Sequence, residues 1–177
     1  MTPAQRDAIS KFVLEKAPLQ SLFNALGTDP QTNDAFVAEA LQRAIDSNNP
    51  QDVEAVVSLT WIFGPHEQWA PLLAKLLELD WHCSHEEIAN ALQDLRDPTT
   101  VDALFRVAQK RHAYLAYNDN YALTVKCVWA LHDVGTDAAI ERLKQLAMTE
   151  TVEDVGEIVA DRLAALAARR TPARRCA

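Results

Sequence analysis

Apolar residues return at intervals of three and four positions through much of the chain. This spacing places side chains along one face of an α-helix, where they can pack against a neighbour. The clearest stripes are Ile88, Leu92 and Leu95; Val101, Leu104, Phe105 and Ala108; Ile140, Leu143, Leu146 and Ala147; and Val155, Val159, Leu163 and Leu166. The pattern predicts about nine or ten helices with short connections and no convincing strand. We therefore predict an all-α fold.

Helix-start signals precede several of these stripes. Thr2, Asn49 and Asp97 each stand directly before a proline. A polar side chain can accept a hydrogen bond from an unpaired first-turn amide, and proline suits the first helical position. Ser84 and Glu87 have the spacing of a capping box, in which the serine hydroxyl accepts from the glutamate N–H and the carboxylate reaches back. The sequence thus predicts helix starts at these places.

Two segments of the chain match each other at a fixed offset. "ALQDLRDPTTVDALFRVA" begins at Ala91 and "ALHDVGTDAAIERLKQLA" begins at Ala130, an offset of 130 − 91 = 39. Under this offset Leu104 meets Leu143. Helical pairs that recur at a fixed period bury their apolar faces against one another, which is typical of repeat arrays.

The chain resembles the HEAT-repeat family, in particular the short bacterial HEAT-like repeats. The residues that carry the resemblance lie roughly between positions 50 and 168, and they are Ala91-Leu92, Asp97-Pro98, Val101 and Leu104 in one unit and Ala130-Leu131, Gly135, Ile140 and Leu143 in the next. The resemblance implies a short right-handed α-solenoid of about four stacked helical pairs. We divide the chain into an N-terminal helical cap at 1–49, HEAT-like repeats at 50–168 and a disordered basic tail at 169–177.

Net charge and cysteine usage restrict the partners and the compartment. The net charge is −8 and the pI is near 5.0, which argues against a general nucleic-acid binder, because such a protein needs a cationic face. No run is long and apolar enough to span a bilayer, and the N-terminus has no apolar signal region. Cys83, Cys127 and Cys176 are odd in number and far apart, which suits free thiols. These features predict a cytoplasmic protein with no nucleic acid or membrane partner.

The stretch "WHCSHEE" has two interpretations. His82, Cys83 and His85 could contribute to a metal site, or the stretch could be only a helix start. We favour the helix start, because the Ser84–Glu87 capping box accounts for it and the other histidines are scattered along the chain. We also find no nucleophile elbow, phosphate loop or zinc-protease motif. The sequence therefore predicts no metal, no cofactor and no enzymatic activity.

Three acidic positions and one loop are the main candidates for partner binding. Glu67, Asp102 and Glu141 could form an acidic stripe, since HEAT-like repeats usually present their second helices on the concave side; the alternative is a solvated helix face.

The segment from residue 112 to 121 interrupts the repeat and contains every tyrosine. Tyrosine is enriched at interfaces, so this loop is a candidate contact surface; the alternative is packing under the repeat and capping of the next helix. The loop residues predicted to bind are Tyr114, Tyr117, Asp119 and Tyr121.

Tryptophans supply a further candidate. Trp61, Trp69 and Trp81 surround the Gly64-Pro65 turn and suit either a core or a binding hot spot, and we include Trp69 among the predicted contact residues. Trp129 lies in the most apolar helix and is predicted to be core, as is Cys127 in the same helix.

These features together predict a protein-binding module. Within this class we favour an immunity-type inhibitor of an antibacterial toxin, a role known for short bacterial HEAT-like proteins, whose partner would be a basic toxin domain. One alternative is an adaptor or assembly scaffold. The other is a HEAT-like lyase with a tetrapyrrole pocket at Trp61, Trp69, Trp81 and His82.

Overall fold

The computed structural model describes residues 1–33, 35–118, 120–149 and 153–170. Within these ranges the chain is all-helical and contains no strand, as the apolar spacing predicts. The α-helices are α1 (Pro3–Glu15), α2 (Leu19–Leu26), α3 (Ala35–Ser47), α4 (Pro50–Phe63), α5 (Ala70–Leu77), α6 (His85–Leu95), α7 (Val101–Ala108), α8 (Tyr121–Val134), α9 (Asp137–Thr149) and α10 (Glu153–Arg170). Short 3₁₀ turns occupy Glu67–Trp69, Pro98–Thr100 and Ala113–Asn118. None of the described helices is both long and apolar enough to cross a bilayer.

Three of the predicted helix starts are confirmed by hydrogen bonds. Thr2 caps α1 with both bonds of a capping box, and its Oγ1 accepts from the amide of Gln5 at 3.2 Å. The Asn49 side chain accepts from the second amide of α4 at 3.0 Å. Asp97 accepts from the amide of Thr99 at 2.8 Å and starts a 3₁₀ turn that leads into α7. Each cap satisfies a first-turn amide that would otherwise lack a partner.

The helices pack in two interleaved series. α4, α6, α8 and α10 contact one another in that order, and so do α3, α5, α7 and α9. Between the two series, α3 packs on α4, α5 on α6, α7 on α8, and α9 on both α8 and α10. The predicted stripes supply much of the core between them, and the stripe residues that are 5% exposed or less are Ile88, Leu92, Val101, Leu104, Ala108, Leu143, Leu146, Val155, Val159 and Leu166.

Polar contacts connect helices of the same series. Arg142 of α9 donates two hydrogen bonds to Asp102 of α7, at 2.7 and 3.0 Å, and lies 4.7 Å above the ring of Phe105. Between α6 and α8, Lys126 forms an ion pair with Glu86. Such bonds fix the register of one helix against the next but one.

A buried carboxylate joins α1 to α4. Asp52 is 5% exposed and accepts from the N-terminal ammonium of Met1 and from Arg6, both at 2.7 Å. Burial raises the pKa of Asp52, but the two cationic donors more than offset it, so the pKa lies below its usual range. The carboxylate is therefore ionised at neutral pH and compensated inside the protein.

Two predictions about α8 have different outcomes. Cys127 is fully buried, as predicted, and burial raises the pKa of its thiol to about 12, so it is an unreactive filler at neutral pH. The prediction that Trp129 belongs to the core is wrong, because its side chain is 43% exposed and lies 5.6 Å from the guanidinium of Arg162.

The basic tail lies mostly outside the described residues. Helix α10 continues to Arg170, so the first two residues of the predicted tail, 169 and 170, are helical. Residues 171–177 are not described.

Candidate functional site

Two helix connections lie against each other at the surface of the helical fold. The first, residues 78–84, joins α5 to α6, and the second, residues 109–120, joins α7 to α8. Lys110 of the second donates to the carbonyl of Glu78 at 2.7 Å and to Asp80 at 3.1 Å. These bonds bring together the polar side chains of both connections.

Three histidine rings lie side by side where the connections meet. His82, His85 and His112, called here the histidine cluster, are 2%, 0% and 7% exposed. The ring centroids lie 4.3 Å apart for His82 and His85 and 4.0 Å apart for His85 and His112. The sequence-based view of His112 as scattered is wrong, because the fold brings it against a residue 27 positions earlier in the chain (112 − 85 = 27).

His82 makes the bond that the predicted capping box assigned to the Glu87 carboxylate. Its Nε2–H donates to the carbonyl of Leu76 at 2.9 Å, and its Nδ1 accepts from the backbone N–H of Ser84 at 3.2 Å. The predicted Ser84 capping box is wrong, since the Ser84 side chain makes no cap hydrogen bond. Its ψ of 24° departs from the extended backbone that aims a capping hydroxyl at the first-turn amides. "WHCSHEE" is still a helix start, but without the predicted serine cap.

His85 is held at both ring nitrogens. Its Nε2 lies 2.9 Å from the carbonyl of Leu79, which can only accept, so Nε2 carries the proton. Its Nδ1 therefore accepts from the hydroxyl of Tyr114 at 2.8 Å. This pairing fixes both the tautomer and the plane of the ring.

His112 is less completely paired. Its backbone N–H donates to the side chain of Asn120 at 2.6 Å, which anchors the residue. The ring Nδ1 stands 3.7 Å from Oδ1 of Asp80, too far for a hydrogen bond. The ring Nε2 is buried and has no hydrogen-bond partner. A buried imidazole nitrogen without a partner is uncommon and costs free energy.

Burial sets the charge of the cluster. It lowers the pKa of His82 and His112, and it lowers that of His85 to about 3. It raises the pKa of the Tyr114 hydroxyl. The hydrogen bond from Lys110 lowers the pKa of Asp80. At neutral pH the site therefore contains neutral imidazoles beside an ionised carboxylate.

Two open grooves flank the cluster, and Trp81, His82 and Cys83 form the wall between them. The α4–α6 groove has a volume of about 500 Å³. Its other lining residues are Pro50, Gln51, Glu54, Val57, Ser58, Trp61, Ser84 and Glu87. The loop groove has a volume of about 470 Å³. Its other lining residues are Asp80, Lys110, Arg111, His112, Ala113 and Tyr114.

The predicted acidic stripe is at the surface but partly neutralised. Glu67, Asp102 and Glu141 are all exposed. Asp102, however, accepts the two bonds from Arg142, and Glu141 lies 3.7 Å from Lys144. The stripe remains a prediction, with less free negative charge than the sequence suggests.

The tyrosine loop is divided between packing and exposure. Tyr114 is half-buried on His85, Tyr121 is half-buried at the start of α8, and Tyr117 is 80% exposed. Asp119 lies outside the described residues. Tyr117 is therefore the tyrosine that is free to contact a partner, whereas Tyr114 supports the cluster.

We expect Tyr114→Phe to lower the free energy of unfolding by about 1 kcal/mol, because it leaves Nδ1 of the buried His85 without its donor. The matched change Tyr117→Phe should have no measurable effect, since that hydroxyl is in solvent. Urea unfolding of both variants measures the difference. Equal stability of the two would show that the Tyr114–His85 bond contributes nothing.

The predicted tryptophans also differ in exposure. Trp69 is 1% exposed, so in this structure it has no surface to present to a partner and its predicted contact role does not fit. Trp61 is 51% exposed, and Trp81 is half-buried in the wall between the grooves. Trp61 and Trp81 are the tryptophans that line the α4–α6 groove.

Comparisons of the chain with protein-family models, with curated proteins and with solved structures found no match. What the grooves and the histidine cluster can bind is therefore inferred from the side chains that form them.

Proposed function

We propose that the chain is a binding module that holds a basic segment of a partner protein in the α4–α6 groove. The observation that carries this proposal is the combination of two indoles, Trp61 and Trp81, with two exposed carboxylates, Glu54 and Glu87, along one groove. The face of an indole attracts a cation, most strongly where water is partly excluded. Carboxylates add direct ion pairs with lysine or arginine.

Groove size and net charge support the same kind of ligand. A volume of about 500 Å³ lies within the usual range of binding clefts and admits a few side chains of a partner. The net charge of −8 attracts a basic partner over a longer range and raises its association rate at low salt.

We extend the proposal to the architecture: a short, right-handed HEAT-like solenoid behind an N-terminal cap. The two interleaved series of contacts support it, because stacked helical pairs place each helix against its equivalent in the next pair. Among the helices that follow the cap, α5 packs on α6, α7 on α8 and α9 on α10, and we take these as the successive pairs.

Inhibition of a basic toxin is the specific role that we propose within this class, on the basis of the resemblance to short HEAT-like proteins and the acidic charge. An adaptor would use the same groove on a partner that is harmless alone. A tetrapyrrole lyase receives less support, because both ring nitrogens of His82 are already hydrogen-bonded and Trp69 is buried.

The test compares two exposed tryptophans. The partner is captured from native lysate with the wild-type chain, purified and titrated against each variant. We expect Trp61→Ala to weaken binding by about tenfold or more, because the indole is an aromatic anchor in the groove. Trp129→Ala is the matched control, since it removes an equally large side chain of similar exposure outside the groove.

Charge is tested separately with Glu87→Gln, which should reduce both the affinity and its dependence on salt. Equal affinities of the Trp61 and Trp129 variants would contradict the groove as the binding surface.

Expression of the captured partner without this chain then distinguishes a toxin inhibitor from an adaptor. Growth arrest supports an inhibitor, and normal growth supports an adaptor.

A further inference from the structure

Three metal-ligating side chains converge beside the loop groove. Asp80, His85 and His112 each offer one ligand atom, and these atoms all lie within 4.8 Å of one another. They come from the two connections and the first residue of α6, so the set exists only in the folded chain. We propose that Asp80, His85 and His112 bind a divalent transition-metal cation, with Zn²⁺ as the best match. This proposal departs from the sequence-based prediction of no metal, and it does not depend on the proposed function.

The ligand types decide which cation is suitable. Two imidazoles and one carboxylate are a common donor set for Zn²⁺, and they also bind Co²⁺ and Ni²⁺. Mg²⁺ and Ca²⁺ prefer an all-oxygen environment, which two imidazoles do not supply. The imidazoles must be neutral to donate a lone pair, and burial keeps these two neutral at neutral pH.

His85 already has the orientation of a metal ligand. Metal-bound histidines usually donate the second ring N–H to a carbonyl or carboxylate, which fixes the ring. The Nε2–H of His85 makes this bond to Leu79, so Nδ1 is the nitrogen available to a cation. Its present partner is the hydroxyl of Tyr114, a neutral donor at the wall of the loop groove that a cation would replace.

His112 and Asp80 are close to ligand geometry. Their nearest atoms are 3.7 Å apart, whereas two ligands of one tetrahedral zinc stand roughly 3.3 Å apart. The three ligand atoms now lie within 4.8 Å of one another, so side-chain movements of up to roughly 1.5 Å would bring them to this spacing. No ring hydrogen bond of His112 has to break, because Nε2 has no partner and Nδ1 is beyond hydrogen-bond distance of Asp80.

The loop groove provides access and a further position. Asp80 and His112 line it, so a cation can enter from solvent and retain a water or accept a partner's side chain as its fourth ligand. Lys110 opposes binding, since its ammonium donates to Asp80 at 3.1 Å. On metal binding it can remain on the Glu78 carbonyl, which it also contacts.

The test titrates the full-length, EDTA-treated chain with Co²⁺, followed by its visible absorbance, and then with Zn²⁺ in competition. We expect one ion per chain, and we expect Asp80→Asn to weaken binding by at least roughly tenfold. The Asp80 side chain is 71% exposed, so this variant should fold normally. His112→Gln should also lose binding. His66→Gln, a half-buried histidine outside the cluster, is the matched control and should bind like the wild type.

Lys110→Gln gives a result of opposite sign. It removes the competing ammonium, while Arg106 of α7 still binds the Glu78 side chain and holds the first connection. The variant should therefore bind Co²⁺ more tightly than the wild type, which loss of structure would not produce. The proposal is overturned if the wild type shows no saturable binding. It is also overturned if Asp80→Asn and His112→Gln keep normal helical circular dichroism and unchanged affinity.

Discussion

Trp69→Ala is expected to lower the free energy of unfolding by about 3–5 kcal/mol. The Trp69 side chain is 1% exposed and is the largest fully buried side chain among the described residues. Its replacement removes a large apolar contact area and leaves a cavity that the surrounding helices fill only in part. Urea or thermal unfolding, followed by circular dichroism, measures the change.

Trp129→Ala is the control for this prediction. It removes the same side chain from a site that is 43% exposed, so the expected loss is smaller, about 1–2 kcal/mol. A loss for Trp69→Ala no larger than for Trp129→Ala would contradict the burial of Trp69 and restore it as a candidate contact residue.

Asp52→Ala is expected to cost about 3 kcal/mol of stability, because it leaves a buried ammonium and a half-buried guanidinium without their common carboxylate. The measurement needs a chain with an untagged N-terminus, so that the ammonium of Met1 is present. Asp7→Ala is the control, since Asp7 pairs with Lys11 in solvent and its loss should not be measurable.

The same carboxylate predicts a dependence on pH. The pKa of Asp52 is lower in the folded than in the unfolded chain, so its contribution is complete above about pH 5 and is lost as the pH falls through the folded-state pKa. The stability difference between wild type and Asp52→Asn should therefore shrink on acidification. A difference that stays constant between neutral pH and about pH 2 would contradict the buried ion pairs.

The helices were predictable because their signals are local. Apolar residues at intervals of three and four identify the buried face of α6 and α9, and Ile88, Leu92 and Leu143 are indeed fully buried. Caps at Thr2 and Asn49 depend only on the next few residues, so they are also read correctly.

The errors concern features that the apolar spacing does not encode. Helix α8 is apolar on nearly every face, so its pattern does not reveal that Trp129 remains at the surface. The Ser84 cap failed because the ψ of Ser84 is 24° and not extended, a conformation that depends on how the connection turns.

The meeting of His85 and His112 depends on how the connections pack, which periodicity does not encode. One signal was present: the offset of 39 aligns the end of α6 with the end of α8, so the connections that precede these two helices occupy equivalent places. Such connections lie at the same edge of a repeat array, so their histidines can be expected to meet.

A photo-crosslinking amino acid placed at Ser58 or at Glu141 tests the central claim most directly. Ser58 lines the α4–α6 groove, whereas Glu141 belongs to the acidic stripe that the sequence predicts as the contact surface. The partner is captured with each variant, irradiated and analysed for a covalent adduct. The groove proposal predicts an adduct from Ser58 and none from Glu141. An adduct from Glu141 alone would contradict it and place the partner on the stripe.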